Sequence, residues 1–364
     1  MKKNYQILPV VLLWAILVLA LWCLPPKQMS EAERRPLEQK PALSGKDLLS
    51  GSFMKDFEDY TLDQFPMRDT FRSLKARFHF GVLNQSDNND IYLVNGVAVG
   101  QEYPLNPDSV SHAADRFQAV YDRYLAQSGG NIYLAVVPDK GYYLAGTSGH
   151  LSLDYDEMTR LLAEKLPWAE GIDLTAALSE GDYYRTDTHW RQEKLLEAAS
   201  VICQAMGAEV PRQEDYTPVI LDRPFYGVYY GQAALPLAPD ALWYLDSALL
   251  QDCAVYDYET GKTGQVYDMT KLESKDLYEV FLSGSKSLLR IDNPNAKTDR
   301  ELIIFRDSFG SAMAPLLVQG YKSVTLVDIR YIQSAMLSRF LEFEGKDVLF
   351  LYSTLVLNNS SAIK

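Results

Sequence analysis

Cysteine, histidine and basic charge are scarce in this chain of 364 residues, and each shortage closes off a class of function. There are three cysteines, Cys23, Cys203 and Cys253, and none stands at metal-ligand spacing from a histidine, which argues against a structural zinc site. Cys23 lies in an apolar N-terminal segment, so only Cys203 and Cys253 could pair, and they read as two buried free thiols. Lys and Arg total 35 against 48 Asp and Glu, a net charge of −13, and the basic residues are scattered; a nucleic-acid partner needs them clustered. Of the four histidines, His79, His112 and His150 have no partner in their local sequence, so imidazole chemistry rests on His189. No internal repeat or long low-complexity tract is present. With 47% hydrophobic residues the chain is globular, sized for one large domain with an insertion or two modest ones. The 24 tyrosines suit carbohydrate surfaces, but ordinary half-buried strand positions account for most of them.

One long hydrophobic run does occur. Residues 7–24, ILPVVLLWAILVLALWCL, carry no charge and follow Lys2 and Lys3, a length that matches a bilayer span. The run ends Ala20-Leu21-Trp22-Cys23-Leu24-Pro25, without the small residues a signal peptidase requires, and Trp22 before Cys23 is unlike a lipoprotein site. Residues 1–26 are therefore expected to be a retained single-pass transmembrane anchor. Lys27, Arg34, Arg35 and Lys40 follow the run, so the Lys/Arg count does not favour a cytoplasmic N-terminus. The very short N-terminal tail does, placing the body on the extracytoplasmic side. Residues 27–50 are polar and Pro-rich and read as a linker.

From residue 51 onward a single catalytic-sized body is expected. The segment FMKDFEDYTLDQFPMRDTFRSLKARFHF has apolar residues at helical spacing, and DIYLVNGVAVG reads as a hairpin around Asn95-Gly96. A helix near 107–127, the strand NIYLAVVP, a helix through MTRLLAEKL and another through RQEKLLEAASVICQAMG then alternate. The rhythm breaks over residues 211–294, a Tyr-, Asp- and Gly-rich stretch that reads as a β-rich insertion. It resumes with ELIIF, a helix from Phe309 to about Gln319, SVTLVDI, a helix through QSAMLSRFLEF, and DVLFLYSTLVL. Such alternation implies an α/β fold with a mostly parallel sheet covered on both faces.

Two motifs carry chemistry. In YYRTDTHW, Asp187 can reach one side of the His189 ring and fix its tautomer. In ELIIFRDSFG, Ser308 stands where an apolar strand turns into a helix, the place where an α/β sheet binds ligands and a helix N-terminus favours an oxyanion. A nucleophile, a base and an orienter are thus available. The competing reading is that Asp307 or Ser308, and Asp187 or Thr188, are only helix N-caps.

These motifs, together with GSFMKDFEDYTLDQFPMRD, FYGVYYG, YEVFLSG and VDIRYI, resemble the DHHW family of bacterial proteins, which is similar to periplasmic alginate O-acetylation proteins. The resemblance covers most of the chain from Gly51 on. It implies an SGNH-hydrolase-like three-layer sandwich in which the Asp-x-His turn precedes the Ser, a circular permutation of the usual order. It further implies Ser308 as nucleophile, His189 as general base and acid, and Asp187 as orienter of a serine O-acetyltransferase or acetylesterase that acts on a cell-envelope or exported polysaccharide at the bacterial cell membrane. By the same fold logic the Ser308 N–H and Asn358 would line the oxyanion hole, while Arg330 and Tyr331 line the substrate pocket or simply pack at a helix start. No metal or cofactor is implied; a membrane-bound O-acyltransferase partner is. Thr188 departs from the family motif's first His, and Arg306 replaces the Gly of Gly-Asp-Ser, where its side chain would crowd the turn or bind an anionic sugar. The alternative is a catalytically inactive polysaccharide-binding or scaffold protein of an envelope acetylation complex.

Overall fold

The structure, a computed structural model, describes residues 7–30 and 32–364, so Lys2 and Lys3 lie outside the described residues. Two compact units divide the chain: Met1–Ile91 with Val228–Leu237, and Tyr92–Gly227 with Ala238–Lys364.

In the first unit the apolar run forms helix α1, Ile7–Cys23, and its last turn extends to Leu24, whose N–H bonds the Ala20 carbonyl. Its 17 residues make a helix of about 26 Å, against about 30 Å for a bilayer's hydrocarbon core. Among the described residues no helix is long and apolar enough to cross a membrane. The expected transmembrane span is thus a shorter apolar helix here. The helical pattern beyond residue 51 forms two helices, α2 (Ser52–Asp63) and α3 (Arg68–Gly81). They part at Pro66-Met67, where Met67 takes a left-handed φ of 58° that no helix continues. The polar segment after α1 does not run free. Arg35 forks onto both Asp63 carboxylate oxygens at 2.7 and 2.6 Å, and the Glu38 N–H bonds the same group.

The second unit begins with the expected hairpin, β1 (Ile91–Val94) and β2 (Val97–Gly100), turning on Asn95 and Gly96 with φ of 51° and 80°. Helix α4 (Pro107–Val120) is capped by the Asn106 side chain with Pro at its start. There follow β3 (Ile132–Val137), α5 (Lys140–Ser148), α6 (Tyr155–Lys165), β4 (Glu170–Ile172) and α7 (Leu196–Ala205). The insertion supplies β5 (Thr217–Phe225) and β6 (Asp240–Asp246), which pair only with each other, then β7 (Ala254–Asp257), β8 (Lys262–Gly264) and β9 (Leu288–Asp292). The C-terminal part adds β10 (Glu301–Arg306), α8 (Gly310–Leu317), β11 (Ser323–Val327), β12 (Asp347–Ser353) and α9 (Thr354–Asn358).

Eight of these strands form one sheet in the order β8-β7-β9-β11-β10-β12-β3-β4. From β11 to β4 the neighbours are parallel; β9, β7 and β8 extend the edge antiparallel. More than half of the β-rich insertion's strands are therefore sheet edge rather than a separate module. The apolar runs of the parallel strands are continuous because both faces are covered. Leu302 and Ile304 of β10 join the core of α7 and α8, while Ile303 and Phe305 join that of α4 and α6. Helices on both faces make three layers.

One expected helix is absent. The run QSAMLSRFLEF forms only a six-residue 3-10 segment, Ser334–Arg339, that buries Leu337 alone. Without an apolar stripe to pack, a longer helix has nothing to hold it. All three cysteines are free, Cys203 and Cys253 buried.

Candidate active site

Parallel order puts the carboxyl ends of β10, β11, β12 and β3 along one edge, and there the polar residues collect: Asp307 and Ser308, Asp328 and Arg330, Ser353 and Thr354, Asp139 and Lys140. Ser308 follows β10 and immediately precedes α8 by two residues. Asp307 shapes this turn. One carboxylate oxygen accepts the Phe309 N–H at 3.0 Å, and the other accepts both the N–H and the hydroxyl of Ser353 at 2.8 and 2.6 Å. The turn is thereby tied to the end of β12. The N–H groups of Phe309 and Gly310 are both used by Asp307, whereas no hydrogen bond engages the Ser308 N–H among the described residues.

His189 arrives on a tight loop closed by a bridge between Tyr183 and Trp190, the Tyr184 N–H on the His189 carbonyl and the Arg191 N–H on Asp182. Its Nε2 stands 2.8 Å from Ser308 Oγ, and its Nδ1 2.5 Å from Asp187 Oδ1, which also accepts the His189 N–H at 3.0 Å. Asp187 is buried and His189 only 9% exposed, so the pair interacts with little solvent screening. With its carboxylate accepting at Nδ1, the imidazole presents its Nε2 lone pair to Ser308, the tautomer a general base needs. The three residues singled out in the sequence do converge.

What aims them was not visible in the sequence. Trp190 Nε1 bonds the Phe309 carbonyl at 3.1 Å, and Gln192 Nε2 bonds the Ala312 carbonyl at 2.9 Å, so the histidine loop is pinned to the helix that follows the serine. Gln192 Oε1 in turn accepts from Leu245 N and the Tyr267 hydroxyl. Asp240, at the start of β6, accepts from Arg185 N and from both the N–H and hydroxyl of Thr186. Gly227 crosses so close to the loop that a Cβ there would lie 2.3 Å from Asp187 Cβ. Tyr278 stacks on the imidazole with centroids 3.9 Å apart and planes 15° apart. Gly227 and Tyr278 lie within FYGVYYG and YEVFLSG, so the signal for both was those motifs rather than any spacing. Lys140 points its ammonium at the carbonyls of Ala98 and Tyr184, the latter 3.0 Å away. Burial pulls its pKa down to about 7 in spite of Asp187, Asp240 and Asp139.

The other four residues proposed from sequence behave differently. Asn358 ends α9 instead of following β12, because the strand stops at Ser353, which caps that helix. Its side chain is taken by the Asn106 N–H at 2.7 Å and the Pro104 carbonyl at 3.3 Å, so it is not a donor to Ser308. Arg306 is 1% exposed and lies beneath α8; a Cβ on Gly310 would meet its stem at 2.7 Å. Its guanidinium is 3.7 Å from Asp328 and donates weakly to the carbonyls of Asp307 and Lys286. It therefore neither crowds the nucleophile nor reaches a sugar; burial lowers its pKa. Arg330 grips Asp328 with two bonds of 2.9 and 2.7 Å, and these outweigh burial and raise its pKa. Tyr331, 53% exposed, sits beside it at the same sheet edge, and no hydrogen bond joins either to Ser308 or His189. A 610 Å³ cavity opens elsewhere, between β3 and α6, lined by Val136, Met158, Leu162 and Thr354, and contains none of the three converging residues.

The fold is similar to that of a DHHW family protein from Eubacterium siraeum DSM 15702, with 23% identity and a TM-score of 0.57 over 76% of this chain and 95% of that one. It is likewise similar to Bacillus cereus PatB1, solved with a sulfonyl adduct, at 17% identity and a TM-score of 0.59 over 73% of this chain and 97% of that one. The O-acetyltransferase domain of Pseudomonas putida AlgJ aligns at 14% identity and a TM-score of 0.45, covering 74% and 92%. No curated protein matches the sequence. The family model described as DHHW protein matches residues 173–327, the segment that runs from the histidine loop past the serine turn to the end of β11. Across that segment the chain is similar to the DHHW family.

Proposed function

We propose that this chain is a membrane-anchored, extracytoplasmic O-acetyltransferase or acetylesterase that acts on a cell-envelope or exported polysaccharide through an SGNH-type Ser308-His189-Asp187 triad. One observation carries the reading: Ser308 Oγ, both ring nitrogens of His189 and the Asp187 carboxylate stand in one chain of hydrogen bonds at 2.8 and 2.5 Å. Two helix caps would have no reason to meet across 119 residues in this order.

In the first half-reaction Ser308 Oγ attacks an acetyl carbonyl while its proton passes to His189 Nε2. Asp187 stabilises the imidazolium. The negative charge that develops on the carbonyl oxygen faces the uncommitted Ser308 N–H and the start of α8. Collapse breaks the bond to the donor's oxygen, which takes the proton from His189 Nε2 and leaves acetyl-Ser308. In the second half a polysaccharide hydroxyl, or water, gives its proton to His189 Nε2 and attacks the acetyl carbonyl; the bond from the acetyl carbon to Ser308 Oγ breaks, and Oγ takes the proton back from His189. A membrane-bound acyltransferase partner is the proposed acetyl source, and the apolar α1 the attachment that keeps the body beside it.

The test is Ser308→Ala in the full chain, assayed on a chromogenic acetyl ester and on transfer of labelled acetyl to an added oligosaccharide. Loss of at least about 10³-fold in rate, with loss of labelling by a serine-directed sulfonyl reagent, is expected. Equal activity in the two proteins would sink the triad. A parent with neither activity nor labelling would leave a polysaccharide-binding scaffold as the better reading.

A further inference from the structure

Helix α3 is inverted relative to a helix packed on a core. Its charges point inward: Arg68 and Arg72, both largely buried, pair with Glu33 at 2.5 and 2.9 Å, and Arg68 also reaches Asp63 at 3.3 Å. Its only buried residue is Ala76. Met67, Phe71, Leu74, Phe78 and Val82 instead form an outward stripe, from 40% exposed at Phe71 to 65% at Met67. Their separations of four, three, four and four residues place them along one face.

Three features say what covers this stripe. The first is charge: α3 carries Arg68, Arg72, Lys75 and Arg77 against Asp69 alone, in a chain of net charge −13. The second is placement. At 3.6 residues per turn, exposed Lys75 lies about 100° to one side of Leu74 and exposed Arg77 about 100° to the other side of Phe78, so cations flank the apolar strip. The third is continuity. Phe71 meets Phe65 edge-on at 5.6 Å, and Phe65 meets Trp14 of α1 at 6.2 Å, so the stripe continues into a helix that is apolar all round. A second copy of the same face would set these basic flanks against each other.

We propose that α3 is an in-plane membrane-docking surface, with Phe71, Leu74 and Phe78 at the acyl boundary of a bilayer and Lys75 and Arg77 on anionic headgroup phosphates. It rests on the membrane-attachment reading of α1 and adds a second contact, one that fixes the first unit against the bilayer rather than leaving it on a tether.

The experiment uses the full chain with Cys23→Ser, because Cys203 and Cys253 are buried and take no label. Single cysteines Leu12→Cys on α1, Leu74→Cys on the stripe and Asp69→Cys away from it carry an environment-sensitive fluorophore. Vesicles of phosphatidylcholine with phosphatidylglycerol, doped with nitroxide lipid, supply the quencher. Labels at positions 12 and 74 should be quenched and that at 69 should not. Lys75→Gln should reduce the docking equilibrium read at position 74 roughly fivefold. Quenching at 12 without quenching at 74 overturns the docking surface and spares the anchor; quenching at neither overturns both. A label at 74 that is shielded without lipid quenching, in a dimeric protein, assigns the stripe to a second copy and overturns the proposal.

Discussion

Gly227→Ala tests whether the FYG strand end sets the position of the acid-base pair. The added methyl would sit 2.3 Å from Asp187 Cβ, 2.3 Å from the Thr186 carbonyl oxygen and 2.4 Å from Asp187 Cα. Ordinary contact begins at 3.4 Å, so the two segments must part by about 1.1 Å. The nearest atoms are backbone or fixed to it, and no flexible side chain can swing aside. Two costs follow. Overpacking of this kind destabilises by about 1–3 kcal/mol, and the Gly227 N–H bond to Thr186 Oγ1, 3.0 Å long, is stretched as well. For a chain of this size that lowers Tm by about 1–4 °C. The kinetic cost is larger. Asp187 holds His189 through two bonds, so a shift near 1 Å is passed to Nε2 and its contact with Ser308, where such misplacement costs on the order of 10²-fold in kcat. The assay is acetyl-ester turnover well below Tm, beside a thermal melt of both proteins. Parent-like kcat in a fully folded Gly227→Ala protein would refute the positioning argument. A melting change with unchanged kcat would mean that the strain is relieved away from Asp187.

Two further outcomes can be stated. Lys140 has a pKa of about 7 in the folded chain against 10.5 unfolded, so between these values the unfolded state binds the extra proton and stability rises with pH. Urea unfolding from pH 6.5 to 9.5 should show the parent gaining on Lys140→Met by up to about 1.4 kcal/mol per pH unit; parallel curves would contradict the burial of that ammonium. Arg306→Met should alter stability by less than about 2 kcal/mol, because Asp328 keeps both bonds from Arg330, and should leave KM unchanged for neutral and anionic acceptors. A KM increase confined to anionic acceptors would return Arg306 to the site.

Asp187, His189 and Ser308 could be read directly from the sequence because each lies in a short motif whose backbone setting, a turn before a helix, is local. The parallel sheet was legible for a similar reason: runs such as LIIF and VLFLY are apolar at consecutive positions, which only a sheet covered on both faces requires. Arg306 and Asn358 show where this ends. Arg306 neighbours the nucleophile's turn in sequence, yet strand geometry turns its side chain under α8; Asn358 was displaced when Ser353, bonded to Asp307, ended β12 and began α9. Composition and periodicity state which residues can be buried or charged, but not which distant backbone they meet. Asp240 on Thr186, Gly227 on Asp187, Gln192 on Ala312 and Tyr278 on His189 are contacts across 40 to 120 residues of chain, made when the insertion's hairpin and the serine helix close on one loop. The scarcity of histidine had already confined the chemistry to His189. Only the fold decided that a serine 119 residues away stands within 2.8 Å of it, because that distance is set by side-chain contacts whose partners no local pattern specifies.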